Sequence, residues 1–159
     1  MKRVLALSLL VLVCAALMTA HAQPVVIYNP SSSVPSGFYL RSGEPPRRGD
    51  FVTVTAVEVA PEYAVLRGYA DRSDRFLKRI AATEGQLVCA EDETISIDGS
   101  HAATRIDRDA AGRMLPAWRG CRRLGAGELF LLGDTDDSFD GRYWGPITIN
   151  LIDGVWTPI

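Results

Sequence analysis

Lysine and histidine are the scarcest of the reactive side chains in this sequence. Of 17 basic residues only Lys2 and Lys78 are lysines, and the two histidines are His21 and His101. Lys2 and His21 belong to an apolar N-terminal region, so the rest of the chain has one lysine and one histidine. A Ser-His-Asp triad or a histidine metal site is therefore difficult to build, and no metal or other cofactor is expected. His101 is interpreted as a solvated turn residue.

After two basic residues at its start, the chain has no charged side chain as far as residue 22. The apolar run Val4–Ala20 leads into a small-residue A-x-A site that ends at Ala22. A basic start, an apolar run and such a site together predict a secretory signal peptide, and the run is nearly long enough for a membrane anchor. We therefore expect residues 1–22 to be a signal peptide or an N-terminal membrane anchor, and residues 23–159 to form one exported domain.

Positive charge is in deficit in this expected domain. The N-terminal region takes two of the 17 basic residues and none of the 19 acidic ones, which leaves 15 basic residues and a net charge of −4. Such a balance argues against nucleic acid as the main partner, because the phosphate backbone attracts basic surfaces.

Cysteine is equally sparse, since only Cys89 and Cys121 of the three cysteines lie in the expected domain. In an oxidising compartment such a pair favours a disulfide, and two buried free thiols are the alternative. The polar region 99–120 lies between the two cysteines. We expect it to be an exposed excursion that the disulfide holds at its base.

No span of a dozen residues shows a clear helical period of 3.6, and short alternating or apolar runs prevail instead. They are bounded by Gly, Pro and Asp, which is typical of strands and turns. The pattern predicts an all-β domain, with residues 73–83 either a strand or a short helical turn. The predicted strand regions are 49–60, 63–70, 94–99, 128–134 and 144–159.

The isolated lysine points to a particular chemistry. Lys78 lies in "RFLKRIAAT", and in a strand its side chain would share a face with Phe76 and Ile80. A lysine desolvated in this way can lose its proton and act as a general base, which an arginine cannot do. The alternative is a solvated lysine on a strand edge.

A general base requires a nucleophile, and "SSSVPSG" at residues 31–37 offers serines. A serine hydroxyl must be deprotonated by a neighbour as it attacks, and a neutral lysine within hydrogen-bond reach can do so. Pro35 and Gly37 favour a tight turn that could hold one hydroxyl rigidly at a surface. A plain polar turn is the alternative.

Three segments in this order, "SSSVPSGFY", "FLKRIAATEG" and "LFLLGDTDDSFDGRYWG", resemble the type I signal peptidase family of Ser/Lys-dyad peptidases. The chain is most similar to its TraF-type conjugative-transfer branch, in size and in the short last loop. The resemblance covers nearly all of residues 23–159. It implies a compact, antiparallel, barrel-like β fold with a small disulfide-pinned excursion.

The resemblance also implies roles for individual residues. Ser33, directly before Val34-Pro35, matches the family's nucleophile, and Lys78 matches its general base. Ser31 matches the hydroxyl that joins the nucleophile's backbone N–H in the oxyanion hole. The last segment supplies the supporting positions: a serine near the lysine amine and an acid and base that brace the loop, namely Ser138, Asp140 and Arg142.

The function implied is a serine endopeptidase that cuts exported pre-proteins after small residues, with a propilin of a conjugative-transfer system as the expected substrate. The expected location is the periplasm, either free or anchored in the inner membrane with the catalytic domain outside it. A general type I signal peptidase and a catalytically silent structural β-domain of a pilus or secretion complex are the alternatives. Replacing Lys78 by arginine separates an enzyme from a scaffold.

Overall fold

The computed structural model describes residues 23–69, 71 and 73–159. Short strands are the commonest regular structure among them, as the alternating pattern predicts, so the all-β prediction is confirmed. In chain order the strands are β1 (Val26–Asn29), β2 (Gly37–Ser42), β3 (Phe51–Thr55), β4 (Arg75–Ala82), β5 (Leu87–Glu91), β6 (Thr94–Ile97), β7 (Ser100–Thr104), β8 (Gly120–Arg123), β9 (Glu128–Leu132), β10 (Ile147–Thr148) and β11 (Ile152–Pro158). Three short helices, α1 (Ala56–Val59), α2 (Pro61–Leu66) and α3 (Gly141–Trp144), and a 3-10 turn (Ile149–Leu151) complete the list.

The strands form two sheets in which neighbours pair antiparallel. The larger has the order β1-β2-β11-β3-β4-β9-β10, and the smaller has the order β7-β6-β5-β8. Strand β4 lies inside the large sheet, where Lys78 is the register partner of Val52 and Arg79 is the partner of Leu132. Residues 73–83 are thus mainly strand, and the helical alternative is excluded.

The large sheet buries apolar side chains on both of its faces. One cluster includes Val52, Ile80 and Leu131, with Phe76 packed against it. A second cluster packs Leu77 against residues of β2, β3 and β11. Because side chains alternate along a strand, Lys78 lies on the face of Phe76 and Ile80, as the sequence predicts. The general-base candidate therefore points into an apolar layer.

The small sheet carries the disulfide. Cys89 on β5 and Cys121 on β8 are directly opposed register partners and are bonded to each other. The predicted pairing is confirmed. The region between them is mostly exposed, as expected, but it also supplies β7, and its Arg105 is only 2% exposed. Arg105 donates to the backbone carbonyls of Trp118 and Asp92, which ties this region to the body of the domain.

Two predicted strand regions were wrong in part. The chain leaves β3 at Thr55 and continues as α1, and residues 63–66 of the second region are helical because they belong to α2. Pro61 occupies the first turn of α2, where its missing N–H costs no hydrogen bond. Tyr63 and Ala64 of this helix are buried. Burial against the sheet decides the outcome here, and such short helices give no clear period in the sequence.

No helix among the described residues is long and apolar enough to cross a membrane. The expected signal peptide or anchor, residues 1–22, lies outside the described residues.

Candidate functional site

Lys78 and Ser33 meet at the centre of the site. The Lys78 side chain crosses the apolar layer and donates from Nζ to Ser33 Oγ at 2.9 Å and to Ser138 Oγ at 3.0 Å. Lys78 is only 4% exposed, and Ser138 is buried beside it. The amine is therefore held between two hydroxyl groups, one of which faces the cleft.

Burial changes the acidity of this amine. Desolvation lowers the pKa of Lys78 from 10.5 to about 8, although the negative charge of Asp140 acts in the opposite direction. The carboxylates of Asp137 and Asp134 also raise it, and Arg142 lowers it. A substantial fraction of the protein consequently has a neutral Lys78 near pH 8, which is the state a general base requires.

The loop between β1 and β2 presents Ser33 to the lysine. The Ser33 amide donates to Ser31 Oγ at 3.2 Å, and the Ser31 hydroxyl donates to Ser33 Oγ at 3.1 Å. On its other side, Ser33 accepts a hydrogen bond at its carbonyl from the Asp134 amide at 2.6 Å. The backbone of Ser33 is therefore fixed from two directions while its hydroxyl stays at the surface.

Apolar packing anchors the same loop. Val34 is 1% exposed in the cluster that contains Leu77. The buried Tyr39 ring belongs to that cluster too, and its hydroxyl donates to the Pro35 carbonyl at 2.6 Å. The residues directly after Ser33 thus anchor the loop in the apolar core. This explains why Val-Pro follows the serine.

Asn29, the last residue of β1, holds the loop from beneath. Its Nδ2 donates to the carbonyls of Ser31 at 2.9 Å, Pro35 at 3.1 Å and Val34 at 3.3 Å. Its Oδ1 accepts from the Ser31 amide at 3.1 Å. The side chain is 8% exposed, so all its polar atoms are used inside the loop.

The segment after β9 supplies a buried ion pair. Asp140 is fully buried and accepts from the Gly133 amide at 2.7 Å, and from Arg142 Nη2 at 2.7 Å and Nε at 2.9 Å. The Arg142 guanidinium, 1% exposed, also donates to the carbonyls of Thr104, Thr135 and Asp136. The pair closes the loop on itself and fixes the position of Ser138 within it.

Gly133 permits the close approach of this loop to Ser33. A Cβ atom at this position would lie 2.1 Å from Ser138 Oγ and 2.7 Å from the Ser33 carbonyl oxygen. Both contacts are far shorter than real Cβ contacts. Only glycine allows the two serines that flank the amine to be this near.

Arg79 and Asp134 form a second bridge between β4 and the last loop. Arg79 donates from Nε and Nη2 to the two carboxylate oxygens of Asp134, at 2.9 Å and 2.7 Å. The guanidinium lies 4.2 Å from the centroid of the Phe51 ring. Since the Asp134 amide donates a hydrogen bond to the Ser33 carbonyl, this ion pair links the loop that contains Ser33 to the strand that contains Lys78.

A cleft of about 630 Å³ opens in front of the two reactive groups. Ser33 and Lys78 line it, and aromatic rings form much of its wall. Tyr63 and Phe139 stack with ring centroids 3.5 Å apart. The cleft is large enough to take an extended stretch of peptide.

The structure brings four of the predicted site residues into one hydrogen-bonded chain: Ser31, Ser33, Lys78 and Ser138. Asp140 and Arg142 lie together behind it. Sequence reasoning missed Asn29 and Asp134 as site residues. An asparagine at the end of a strand, followed by Pro and serines, is the one local signal that could have indicated Asn29, because Asn side chains often bond to backbone two residues on.

Chemically, a buried amine with a pKa near 8 beside an exposed hydroxyl is an arrangement for activating that hydroxyl. No further group has to be invoked to accept its proton.

Known proteins are similar in sequence to this chain. The family model "Signal peptidase, peptidase S26" matches residues 1–158. Two plasmid transfer proteins TraF of Escherichia coli are 32% identical over 143 residues and 30% identical over 142 residues; each match covers 82% of this chain and 80% of the relative. A crystal structure of a signal peptidase I from Enterococcus faecalis aligns at 22% identity with a TM-score of 0.45, covering 73% of this chain and 100% of that one. The family match over nearly the whole chain, together with the two plasmid transfer proteins, shows that the protein belongs to the signal peptidase family, peptidase S26.

Proposed function

We propose that this peptidase is a serine endopeptidase in which Ser33 is the nucleophile and Lys78 the general base. The observation that carries the proposal is the 2.9 Å contact between Ser33 Oγ and a lysine amine that is 4% exposed. A lysine so placed has the lowered pKa and the reach that proton abstraction requires.

The steps follow from the geometry. The neutral Lys78 amine takes the Ser33 hydroxyl proton as Oγ bonds to the scissile carbonyl carbon. The resulting ammonium gives that proton to the leaving amine, which departs as the new N-terminus of the product. Water then attacks the Ser33 ester as Lys78 accepts a proton from it; the ester C–O bond breaks, the ammonium returns that proton to Ser33 Oγ, and the acid product leaves.

Ser31 completes the proposed site as an oxyanion donor. In the resting structure its hydroxyl donates to Ser33 Oγ. When that oxygen bonds to the substrate, the Ser31 hydroxyl is free to turn toward the developing oxyanion, beside the Ser33 amide. Loss of one such donor costs about 3 kcal/mol of transition-state stabilisation in comparable sites.

The proposed substrate is an exported pre-protein, and specifically a propilin. The similarity to plasmid transfer proteins supports a role in conjugative transfer. We place the enzyme in the periplasm or on the outer side of the inner membrane.

An exposed apolar surface supports a site at the membrane. Val26 and Tyr28 of β1 are register partners of Leu40 and Phe38 of β2, so all four side chains share the outer face of the sheet. With Ile159 beside them, they are between 42% and 75% exposed. Patches of this kind mark interaction surfaces. The apolar run of residues 4–20 ends shortly before β1, which favours a bilayer as the occupant of this outer face.

Cleavage of a panel of exported precursors, including a propilin from the same source, tests the proposal. Wild type, Ser33→Ala and Lys78→Arg are compared, with Ser32→Ala as the matched control because Ser32 is exposed in the same loop. We expect cleavage by wild type and Ser32→Ala only, with Lys78→Arg slowed by about 10³-fold or more. Cleavage by Lys78→Arg at the wild-type rate would exclude the mechanism, and no cleavage by any variant would favour a structural β-domain.

The precursor that is cut distinguishes propilin maturation from general signal-peptide removal.

The proposed contact of the exposed apolar face with a membrane is tested with the full chain in vesicles. Phe38→Ser combined with Leu40→Ser should slow cleavage of a membrane-embedded precursor and leave cleavage of a soluble peptide unchanged. Val65→Ser, at an exposed position of α2, is the control. Equal rates on the membrane-embedded precursor would exclude a bilayer as the occupant.

A further inference from the structure

Asn29 is a buried polar side chain beside the site that the proposed steps do not use. It is 8% exposed, and its amide makes four hydrogen bonds, all of them to the backbone of residues 31–35. A buried amide is rarely so fully committed to a single short loop unless the conformation of that loop matters.

The bonds are not distributed evenly along the loop. Ser31 is held at both of its backbone polar groups, because its amide donates to Asn29 Oδ1 and its carbonyl accepts from Asn29 Nδ2. The remaining bonds reach Val34 and Pro35, beyond the nucleophile. The side chain therefore fixes the loop on both sides of Ser33 and leaves Ser33 itself unbound.

Ser33 is fixed by other groups, namely the Asp134 amide at its carbonyl and the Ser31 hydroxyl at its amide. Ser31 has no comparable apolar anchor, since it is exposed. Its hydroxyl nevertheless has to lie within reach of both the Ser33 amide and the carbonyl under attack. The precision of that hydroxyl depends on how its own backbone is held.

We infer that Asn29 is a positioning residue for the reaction: it orients the Ser31 hydroxyl, and through it the oxyanion site, by fixing the Ser31 backbone. This inference rests on the proposed function. The described hydrogen bonds of the Asn29 side chain go to the backbone of Ser31, Val34 and Pro35 and not to Ser33 or the Lys78 amine, so it acts through Ser31. Its contribution appears in the transition state, where the oxyanion forms, and not in the binding of the ground state.

The test combines Asn29→Ala and Asn29→Asp with Ser31→Ala in a double-mutant cycle. Asn29→Asp keeps the size and the acceptor for the Ser31 amide but replaces the donor by an oxygen that faces three carbonyl oxygens. We expect each Asn29 variant to lower kcat by about 10- to 100-fold with KM nearly unchanged. In the Ser31→Ala background, Asn29→Ala should lower kcat by less than about 3-fold, because the group that it positions is gone.

Asn150, exposed in the 3-10 turn, provides the matched control, and Asn150→Ala should leave kcat and KM unchanged. Circular dichroism at the assay temperature establishes that each variant is folded. An equal loss of kcat from Asn29→Ala with and without the Ser31 hydroxyl, or a loss confined to KM, would overturn the inference.

A measurement that needs no substrate separates this inference from the proposed function. Hydrogen exchange of the Ser31 amide, followed by NMR in the full chain, should become about 3- to 10-fold faster in Asn29→Ala. If wild type cleaves no precursor, the proposed function fails, but faster exchange at Ser31 still supports the positioning role. Unchanged exchange at Ser31 overturns it.

Discussion

Two buried cations lie in neighbouring parts of the site, and their surroundings differ completely. Arg142 has a carboxylate in bidentate contact and four backbone carbonyls as further acceptors. Lys78 has two serine hydroxyls. Both side chains are less than 5% exposed, so solvent does not explain the difference.

The surroundings of each cation determine whether it keeps its proton. Asp140 raises the pKa of Arg142, although desolvation acts against it, so that guanidinium stays charged and serves as a structural clamp. At Lys78, desolvation prevails and lowers the pKa to about 8. Hydroxyls can donate as well as accept, and they therefore tolerate a neutral amine.

Removal of the Asp140 carboxylate is expected to have the largest effect. Asp140→Asn leaves the buried Arg142 guanidinium without an anion, and we expect the free energy of unfolding to fall by about 3–5 kcal/mol. Urea denaturation measures it. Asp136→Asn, an exposed position in the same loop, should change stability by less than about 0.5 kcal/mol. Similar values for the two variants would show that the ion pair is not what holds the loop.

The cost of burying Lys78 should appear as a pH dependence of stability. Below pH 8 the amine is protonated in both states and the folded protein bears the full desolvation cost. Between pH 8 and 10.5 only the unfolded state stays protonated, so folded stability rises with pH. Relative to Lys78→Met, wild type should therefore gain about 3 kcal/mol across this range. Parallel stability curves for the two proteins would contradict the lowered pKa.

Ser138 supplies one of the two hydroxyls that accept a hydrogen bond from the Lys78 amine. Ser138→Ala removes one of the two groups that hold the Lys78 amine, and we expect kcat to fall by about 10-fold, the equivalent of one hydrogen bond. Steady-state kinetics on the cleaved precursor measure this. Ser36→Ala, in the β1–β2 loop but without a bond to the lysine in the described structure, serves as the control. An unchanged kcat for Ser138→Ala would mean that Ser33 alone orients the amine.

The smallest expected effect concerns the charges around Lys78. If the neutral amine is the base, kcat/KM rises with pH with a midpoint near 8. The exposed Asp137 raises the pKa of Lys78, so Asp137→Asn should move this midpoint down by about 0.3 pH unit. A pH profile of kcat/KM for both proteins measures the difference. A shift in the opposite direction would assign the titration to another group.

Much of the arrangement could be predicted from the sequence, and for physical reasons. A single lysine among arginines identifies the one cation that can lose its proton, and strand alternation places Lys78 on an apolar face. The disulfide follows from the compartment and from the count of cysteines. In each case the decisive information is local or compositional.

The remainder depends on contacts between distant parts of the chain. Asn29 bonds to a loop that folds back over it, and the ion pair of Arg79 with Asp134 joins β4 to the loop after β9. The helices α1 and α2 form where burial of Tyr63 and Ala64 outweighs the local strand pattern. The burial of Arg105 depends on carbonyls that only the tertiary fold brings near.

Strand β11 lies between β2 and β3 in the large sheet, and this position has a consequence for biosynthesis. The hairpin that bears Ser33 and the strand pair that bears Lys78 become neighbours only when the last described strand is inserted between them. A chain that is synthesised from its N-terminus therefore carries Ser33 and Lys78 for some time without a formed site. Under the proposed function, proteolytic capacity arises only after β11 has taken its place in the sheet.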